Sequence, residues 1–448
     1  MLGIVQNLFS SRRNPIGIDF GTETLRLAQV APGAVDGELR VLAAASLDVP
    51  SSARNDPQLR LAFFVSALKE LLPSGGFKGR QAVLGLPSSA LQLLHVRLPQ
   101  MDEAALTKAI PFEARGKLPY DPSHALIRHI VAGEVYHGSE QKLETILMAS
   151  PKAAVEALLA AAGKAKLDIV GINTEPLALI DCFMRLSRRK DDRDAVVCYV
   201  DIGASGSRAI IARGGKVLFA RSIAIGGDHF TRAVAQQAKL SYDDAKLMRL
   251  RLAEAAQPMA GTAAEAAPRG TTPPVQFAST GTTDDETPGP SAENSFALLG
   301  AAMAKKQGAA SVIEPRRAGP PAERGSTATE PTAAGDTLAR ELRLVETAVR
   351  EPLTRLIEEL DMCRRYHEAT FPSAPVDKLL FIGGEARQKG LCAHVARELG
   401  LAASVGDPLA RMAKTTELPP ESGLDRRGPQ PGWAVALGLS MGPLTGKP

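Results

Sequence analysis

Two distant stretches of the chain share one pattern of apolar and polar positions. The first reads Asn14-Pro-Ile-Gly-Ile-Asp19-Phe-Gly21-Thr22-Glu23-Thr24-Leu-Arg26-Leu-Ala-Gln-Val30. The second reads Val196-Val-Cys-Tyr-Val-Asp201-Ile-Gly203-Ala204-Ser205-Gly-Ser207-Arg208-Ala-Ile-Ile. Each is an apolar run that ends in Asp-x-Gly, then small polar residues, then arginine and a second apolar run. That is the signature of a β-hairpin, used twice. After the first copy, the spacing predicts a strand near Leu39–Ala45 and an amphipathic helix near Pro57–Leu72. After the second come a strand at Val217–Ile225 and a helix from about His229 to Lys239, with Asp228 as its N-cap. Two β-β-β-α units predict a duplicated fold with a cleft between the copies.

Between the copies, Arg80–Leu86 and Gln92–Leu98 read as strands, and Asp102–Gly116 as a helix stopped by glycine and Pro119. Strands follow near Ala125–Val135 and Leu143–Ser150. Pro151–Lys166 reads as an Ala-rich helix and Asp168–Asn173 as a buried strand. Glu175–Arg188 reads as a helix with Pro176 in its first turn. From about Arg251 to Asp336 the composition shifts to Ala, Gly, Pro, Thr and Ser, with almost no aromatic residues. Such a stretch cannot bury enough apolar surface to offset chain entropy. It is expected to be a disordered insertion and an inert linker, with Phe296–Lys305 a short helical island at most. Leu342, Val345, Val349, Leu353, Leu356, Leu360 and Cys363 then recur at helical spacing, which predicts one long helix over 338–370. Lys378–Ile382 reads as a strand, Gly383-Gly384-Glu385 as a turn, Gly390–Leu399 as a helix, Thr415–Pro431 as loop and Trp433–Met441 as a last apolar helix.

Composition narrows the choices. A chain of 448 residues with 44% hydrophobic content can bury two or more cores. A formal charge of +4 reads as a solvated surface and predicts no nucleic-acid partner. Aromatic residues at 4% are too few to build stacking platforms for single strands. Cys182, Cys198, Cys363 and Cys392 form no C-x-x-C pair and read as small buried residues in a reducing compartment. No run of about 18 apolar residues exists, so no membrane-crossing helix is expected. The opening MLGIVQNLFSSRR places its charge after the apolar stretch, unlike a signal peptide. Leu2, Val5, Leu8 and Phe9 could share the face of a short helix packed on the body. Arg185, Arg188, Arg189 and Lys190 read as a solvated cap at a helix end.

The hairpin turns carry the candidate chemistry. A tight glycine turn aims several backbone N–H groups at one point, and such a nest binds phosphate oxygens. Two nests facing across a cleft could clamp a nucleotide tail. Asp19 and Asp201 would stand beside the phosphates. A carboxylate there repels phosphate unless a cation lies between, and Mg²⁺ held largely through waters suits that place. The glycines Gly383 and Gly384 would let backbone approach a base or ribose closely.

Two Asp-x-Gly hairpins followed by a late strand-Gly-Gly-helix resemble the actin-like ATPase superfamily. The resemblance implies an α/β chain with a duplicated actin-like (ribonuclease H-like) two-lobed fold, a small inserted α+β domain and the long disordered insertion. Phosphate loop one would be Asp19–Arg26, with Gly21, Thr22, Glu23 and Thr24. Phosphate loop two would be Asp201–Arg208, with Gly203, Ala204, Ser205 and Ser207. Ile382–Lys389, with Gly383, Gly384 and Glu385, would be the adenosine loop. The cofactors implied are ATP and Mg²⁺, the metal held by Asp19 and Asp201. Connecting helices would begin near Glu175 and Trp433.

A finer resemblance is to the PilM family of type IV pilus assembly proteins. It rests on Ala109-Ile-Pro-Phe-Glu113-Ala-Arg-Gly-Lys-Leu-Pro119-Tyr-Asp, on Ile172-Asn-Thr-Glu175-Pro176-Leu-Ala178-Leu, on Ile382-Gly-Gly-Glu-Ala386-Arg-Gln-Lys-Gly390-Leu391 and on Ala434-Val-Ala-Leu-Gly438-Leu. The family pattern implies lobe one over 14–85, a small subdomain shared with FtsA over 86–150, and the rest of lobe one with its connecting helix over 151–190. Lobe two would take 191–250 and 337–442, with the insertion over 251–336 between them. It implies a cytoplasmic scaffold held at the inner membrane by other pilus assembly proteins, with the tail peptide of a PilN-like inner-membrane protein as partner. Pro111-Phe112-Glu113 either lines a groove for that peptide or belongs to an amphipathic helix packed on its sheet.

The chain also departs from the family. Ala245-Lys246-Leu247-Met248-Arg249 stands where Ala-Glu-x-x-Lys is expected. Lys246 cannot accept ribose hydroxyl hydrogen bonds, while Arg249 could still reach a phosphate or ribose. Glu175 would orient the attacking water by analogy, but an acid at a helix start also complements the dipole, and that reading is preferred. At most a slow ATPase is expected. The alternatives are an FtsA-like filament-forming protein and a small-molecule kinase of the same superfamily.

Overall fold

The computed structural model describes residues 14–35, 37–186, 193–255, 333–413, 422–425 and 427–442. The expectations for the first residues of the chain, the 256–332 segment with its helical island, Arg188, Arg189 and Lys190, and 414–421 lie outside these.

Two five-stranded sheets share one strand order. In lobe one, β1 (Ile16–Phe20), β2 (Thr24–Pro32) and β3 (Leu39–Asp48) form an antiparallel meander. β4 (Gln81–Leu86) and β8 (Asp168–Thr174) add in parallel on the far side of β1. In lobe two, β9 (Val196–Ile202), β10 (Ser207–Arg213) and β11 (Lys216–Ile223) repeat the meander, and β12 (Lys378–Ile382) and β13 (Ala402–Val405) repeat the parallel pair. β13 is a strand that the sequence pattern did not predict; it is four residues long. β8 has the apolar sequence of a buried strand but lies at a sheet edge, where Val170 is 51% exposed. Its composition could not distinguish an edge from a centre.

The remaining helices sort by the face they cover. α1 (Ser51–Arg54), α2 (Pro57–Ser74) and α4 (Lys152–Lys164) belong to lobe one, where α2 and α4 cover the outer face of its sheet. The Asp56 carboxylate caps α2 by accepting from the amides of Gln58 and Leu59. A third sheet, ordered β5 (Gln92–Pro99), β7 (Glu140–Pro151), β6 (Ala125–His137), carries α3 (Glu103–Glu113) and has a core of its own. Within α3, Ile110 is 3% exposed and Phe112 is 71% exposed. Only Ile110 packs on the sheet. A buried carboxylate ties this sheet to lobe two: Glu144 on β7 meets His95 Nδ1 at 2.9 Å, Arg97 Nε at 2.9 Å and the Tyr366 hydroxyl at 2.8 Å. Burial alone would raise its pKa; the hydrogen bonds from His95 and Arg97 outweigh that and hold it below the ordinary range.

In lobe two, α6 (Gly227–Ala238) and α7 (Tyr242–Ala255) follow the meander, and the long α8 (Ala333–Thr370) and α9 (Lys389–Leu399) cover the outer face of the sheet. The helical termini at Ala255 and Ala333 fall inside the stretch expected to be disordered from 251 to 336. Asp228 is not the N-cap of α6. Gly226 holds that position, and the Asp228 carboxylate instead accepts from the Tyr242 hydroxyl on α7.

Between the two sheets run α5 (Glu175–Leu186) and α10 (Ala434–Met441), sharing one core with residues of both. Their closest approach needs glycine. A Cβ at Gly438 would stand 1.9 Å from the Ala178 carbonyl oxygen, and one at Gly17 on β1 would stand 2.1 Å from that of Ala436. Gly438→Ala is therefore expected to cost about 3 kcal/mol, the upper range for overpacking a core. Gly163→Ala, at a helical site with open space around it, should gain about 0.5 kcal/mol. Urea unfolding of both variants checks this; equal midpoints would contradict the crossing.

Candidate functional site

Both Asp-x-Gly turns end at one cleft. In lobe one, strand pairing sets Asp19 opposite Arg26 and Phe20 opposite Leu25, so residues 21–24 must turn tightly. A Cβ at Gly21 would fall 2.6 Å from the Thr24 carbonyl oxygen. In lobe two, Asp201 stands opposite Arg208 and Ile202 opposite Ser207. The Gly203 amide donates to the Gly206 carbonyl at 3.0 Å, and the amides of Gly227 and Asp228 donate to the carbonyls of Gly203 and Ala204. The two turns meet: Thr22 Oγ1 and Ser205 Oγ are 3.0 Å apart. Gly383, with φ +89°, closes the third side. A Cβ there would lie 2.3 Å from Asp201 Oδ1.

The cleft has two connected chambers. The inner one, about 100 Å³, is lined by Asp19, Gly21, Thr22, Glu23, Thr24, Arg26, Glu175, Asp201, Gly203, Ala204, Ser205, Arg208, Gly383 and Gly384, with Leu179 of α5 and Val435 of α10 among its walls. The outer one, about 380 Å³, is lined by Arg54, Lys246, Glu385, Arg387 and Gln388, and shares Glu23, Thr24, Arg26, Ala204 and Gly384 with the first. Two of the sequence-predicted residues stand elsewhere. The Ser207 hydroxyl donates to the Ile225 carbonyl at 2.6 Å and braces the hairpin from behind. Arg249 is buried against Glu385, with Nη1–Oε2 at 2.6 Å and Nη2–Oε1 at 2.9 Å, so its guanidinium holds the turn after β12 and does not reach into the cleft. Lys246, the departure noted in the sequence, pairs with Glu23 across the cleft at 2.6 Å, and Arg54 meets the same oxygen at 3.2 Å.

Sequence reasoning placed Arg208 at the end of phosphate loop two and gave it no role of its own. Its Nε donates to Asp201 Oδ2 at 2.9 Å, Nη2 reaches the same oxygen, and Nη1 contacts Glu175 Oε2. The signal was present in the repeat, because Arg208 follows Asp201 at the interval by which Arg26 follows Asp19. Its guanidinium lies where a cation between Asp201 and Glu175 would lie. Among the described residues no cluster of three His, Cys, Asp or Glu side chains is arranged to hold a metal ion. These side chains do not fit the Mg²⁺ expected at Asp19 and Asp201.

Burial dominates the electrostatics. It pushes the Asp19 carboxyl up to about 6, against the pull of Arg26 and Arg208, with Asp201 adding to the rise. It pushes Glu175 up to about 8, against Arg208 and with help from Asp19 and Asp201. Burial would also strip the Arg208 proton, but Asp201 and Glu175 outweigh it and hold the guanidinium charged. Burial presses Arg26 below the usual range, opposed by Asp19. Burial thus favours the protonated form of Glu175 near neutral pH.

Residues 17–253, more than half of the chain, match the family model of type IV pilus assembly protein PilM. The chain belongs to the PilM family. Residues 198–438 also match the model of cell division protein FtsA. A solved PilM–PilN type IV pilus biogenesis complex is similar, with TM-score 0.64 and 18% identity over 96% of this chain and 98% of that one. The ethanolamine utilization protein EutJ of Carboxydothermus hydrogenoformans aligns at TM-score 0.44 and 13% identity, covering 95% of this chain and 89% of its own. MreB5 of Spiroplasma citri bound to ADP aligns at 0.42 and 10%, covering 96% and 95%. The last two scores are too low to carry an argument. Family and fold agree on a two-lobed actin-like architecture, and in this PilM-family chain the facing turns lie at the cleft between the lobes.

The raised Glu175 pKa has a consequence for stability. The folded chain holds a proton there that the unfolded chain releases near 4.5, so this contribution is present below that pH and is lost as pH rises through about 8. Between those limits wild type should lose stability relative to Glu175→Gln. Melting curves taken across the window check this, and parallel pH profiles for the two proteins would rule it out.

Proposed function

We propose that this PilM-family chain is a nucleotide-binding scaffold of type IV pilus assembly. In this reading ATP lies in the cleft with its phosphates between the two Asp-x-Gly turns. The observation that carries the reading is the convergence of Thr22 and Ser205, 183 positions apart in the chain, at 3.0 Å over one chamber. The outer chamber is large enough for a nucleoside, whose site would be bordered by Glu385, Arg387 and Gln388. Glu175 serves this reading as a helix-starting acid, and turnover is at most slow.

The partner in this reading is the N-terminal cytoplasmic tail of a PilN-like inner-membrane protein. The similarity to a structure named as a PilM–PilN complex supports it. So does the small sheet, whose α3 presents Phe112 to solvent. Among the described residues no helix is long and apolar enough to cross a membrane. The scaffold would then work in the cytoplasm and be held at the inner membrane by its partner. The match of 198–438 to FtsA favours a second reading, an ATP-dependent filament, which sedimentation with and without ATP would reveal.

A blocking variant tests the cleft. Gly384 lines both chambers, and a side chain added there meets nothing within 4 Å. Gly384→Phe should fill the cleft without strain, keep the melting temperature of the free protein and weaken binding of a fluorescent ATP analogue by more than about tenfold. Absence of saturable binding to wild type would overturn the nucleotide assignment. A tail peptide that is retained neither with nor without ATP would overturn the partner assignment.

A further inference from the structure

We propose that Arg208 replaces the metal ion of this cleft, so that the site takes the phosphate tail of a nucleotide without Mg²⁺. The inference rests on the nucleotide reading above and concerns how that same site handles charge.

Four carboxyl groups, Asp19, Glu23, Glu175 and Asp201, line the inner chamber. Left alone they would repel a polyphosphate, and a divalent cation is the usual remedy. Here Asp201 already has a cationic partner. Its Oδ2 takes both Nε and Nη2 of Arg208. Its Oδ1 lies beside the Gly383 backbone, where an added Cβ would come within 2.3 Å. Glu175 faces the remaining prong of the same guanidinium. The arrangement is set by strand register, because Arg208 stands directly opposite Asp201 in the β9–β10 pair, and it is only 8% exposed.

A guanidinium has five N–H donors, and Arg208 turns three of its nitrogens toward carboxylates. The spare hydrogens on Nη1 and Nη2 remain for an anion. Arg26 adds a second guanidinium from lobe one. It lines both chambers, and no salt bridge or side-chain hydrogen bond ties it to a described residue. Burial pushes Glu175 up to about 8, which favours its neutral form near neutral pH. Arg208 answers Asp201 and Glu175, Arg26 stands opposite Asp19 in the β1–β2 pair, and Glu23 is met by Lys246 and Arg54, so each acid of the chamber already has a cationic neighbour. Phosphate oxygens can take the charge-assisted donors directly.

The test is the affinity of the full chain for ATPγS in EDTA and in excess Mg²⁺. Wild type is expected to bind equally in both, within about threefold. Arg208→Ser removes the guanidinium; its binding should fall by more than about tenfold in EDTA and return with Mg²⁺. Titrated with Mn²⁺ alone and followed by its electron paramagnetic resonance, Arg208→Ser should show a saturable site that wild type lacks. If Arg208→Ser does not fold, Arg208→Lys keeps the charge without the fork, and its metal-free binding should weaken while Mg²⁺ restores it. Wild-type binding that vanishes in EDTA overturns the inference and leaves the nucleotide reading standing. Binding by the variant that ignores EDTA also overturns it. A wild type that binds no nucleotide in either buffer overturns the nucleotide reading itself, and the inference with it.

Discussion

The close crossing of α5 and α10 sets the geometry of everything else. Each sheet buries one face against this helix pair, and the pair can share the space between two sheets only because Gly438 lets its backbone meet the Ala178 carbonyl. Gly17 does the same for α10 and β1. Interiors packed to native density do not yield to an extra methyl group at such points. The consequence reaches the cleft directly. Leu179 and Val435 of the crossing helices form part of its wall, so the spacing of the lobes is set by helix packing before any ligand arrives.

The cleft itself is held by charge. Lys246 meets Glu23 across it, Arg54 holds the same carboxylate from its own lobe, Arg249 clasps Glu385, and Arg208 bridges Asp201 to Glu175. Buried pairs of this kind contribute little net stability, since desolvation cancels much of the attraction. Their effect is to fix where each charged group stands. Arg249 and Glu385 position the turn after β12. Arg208 sets the charge balance of the inner chamber. Residues that resemble a nucleotide site by type are in this way committed to one another.

Glu144 plays a comparable part for the small three-stranded sheet. Its carboxylate gathers His95, Arg97 and Tyr366 where that sheet meets lobe two, and the exposed Phe112 stands on the same subdomain. A rigid seat for the subdomain gives any partner docked there a fixed orientation relative to the cleft.

The duplicated architecture was readable from the chain itself. Apolar runs bounded by turns, glycine at tight turns and the helical spacing of Leu353, Leu356, Leu360 and Cys363 are local rules, and local rules act on adjacent residues. The repeat of Asp-x-Gly and arginine even marked both ends of the cleft. What the chain could not disclose were pairings between distant residues. Apolar composition alone did not tell the edge strand β8 from a central one, nor separate buried Ile110 from exposed Phe112. Asp228 has the chemistry of a cap, yet it serves Tyr242 on the next helix. Arg249 could have reached a ligand, but Glu385 lies closer. Arg208 reads as one more strand residue until folding brings Glu175 to it from 33 positions away. Side-chain partners of that kind depend on how helices and sheets stack in space, and only the tertiary structure decides them.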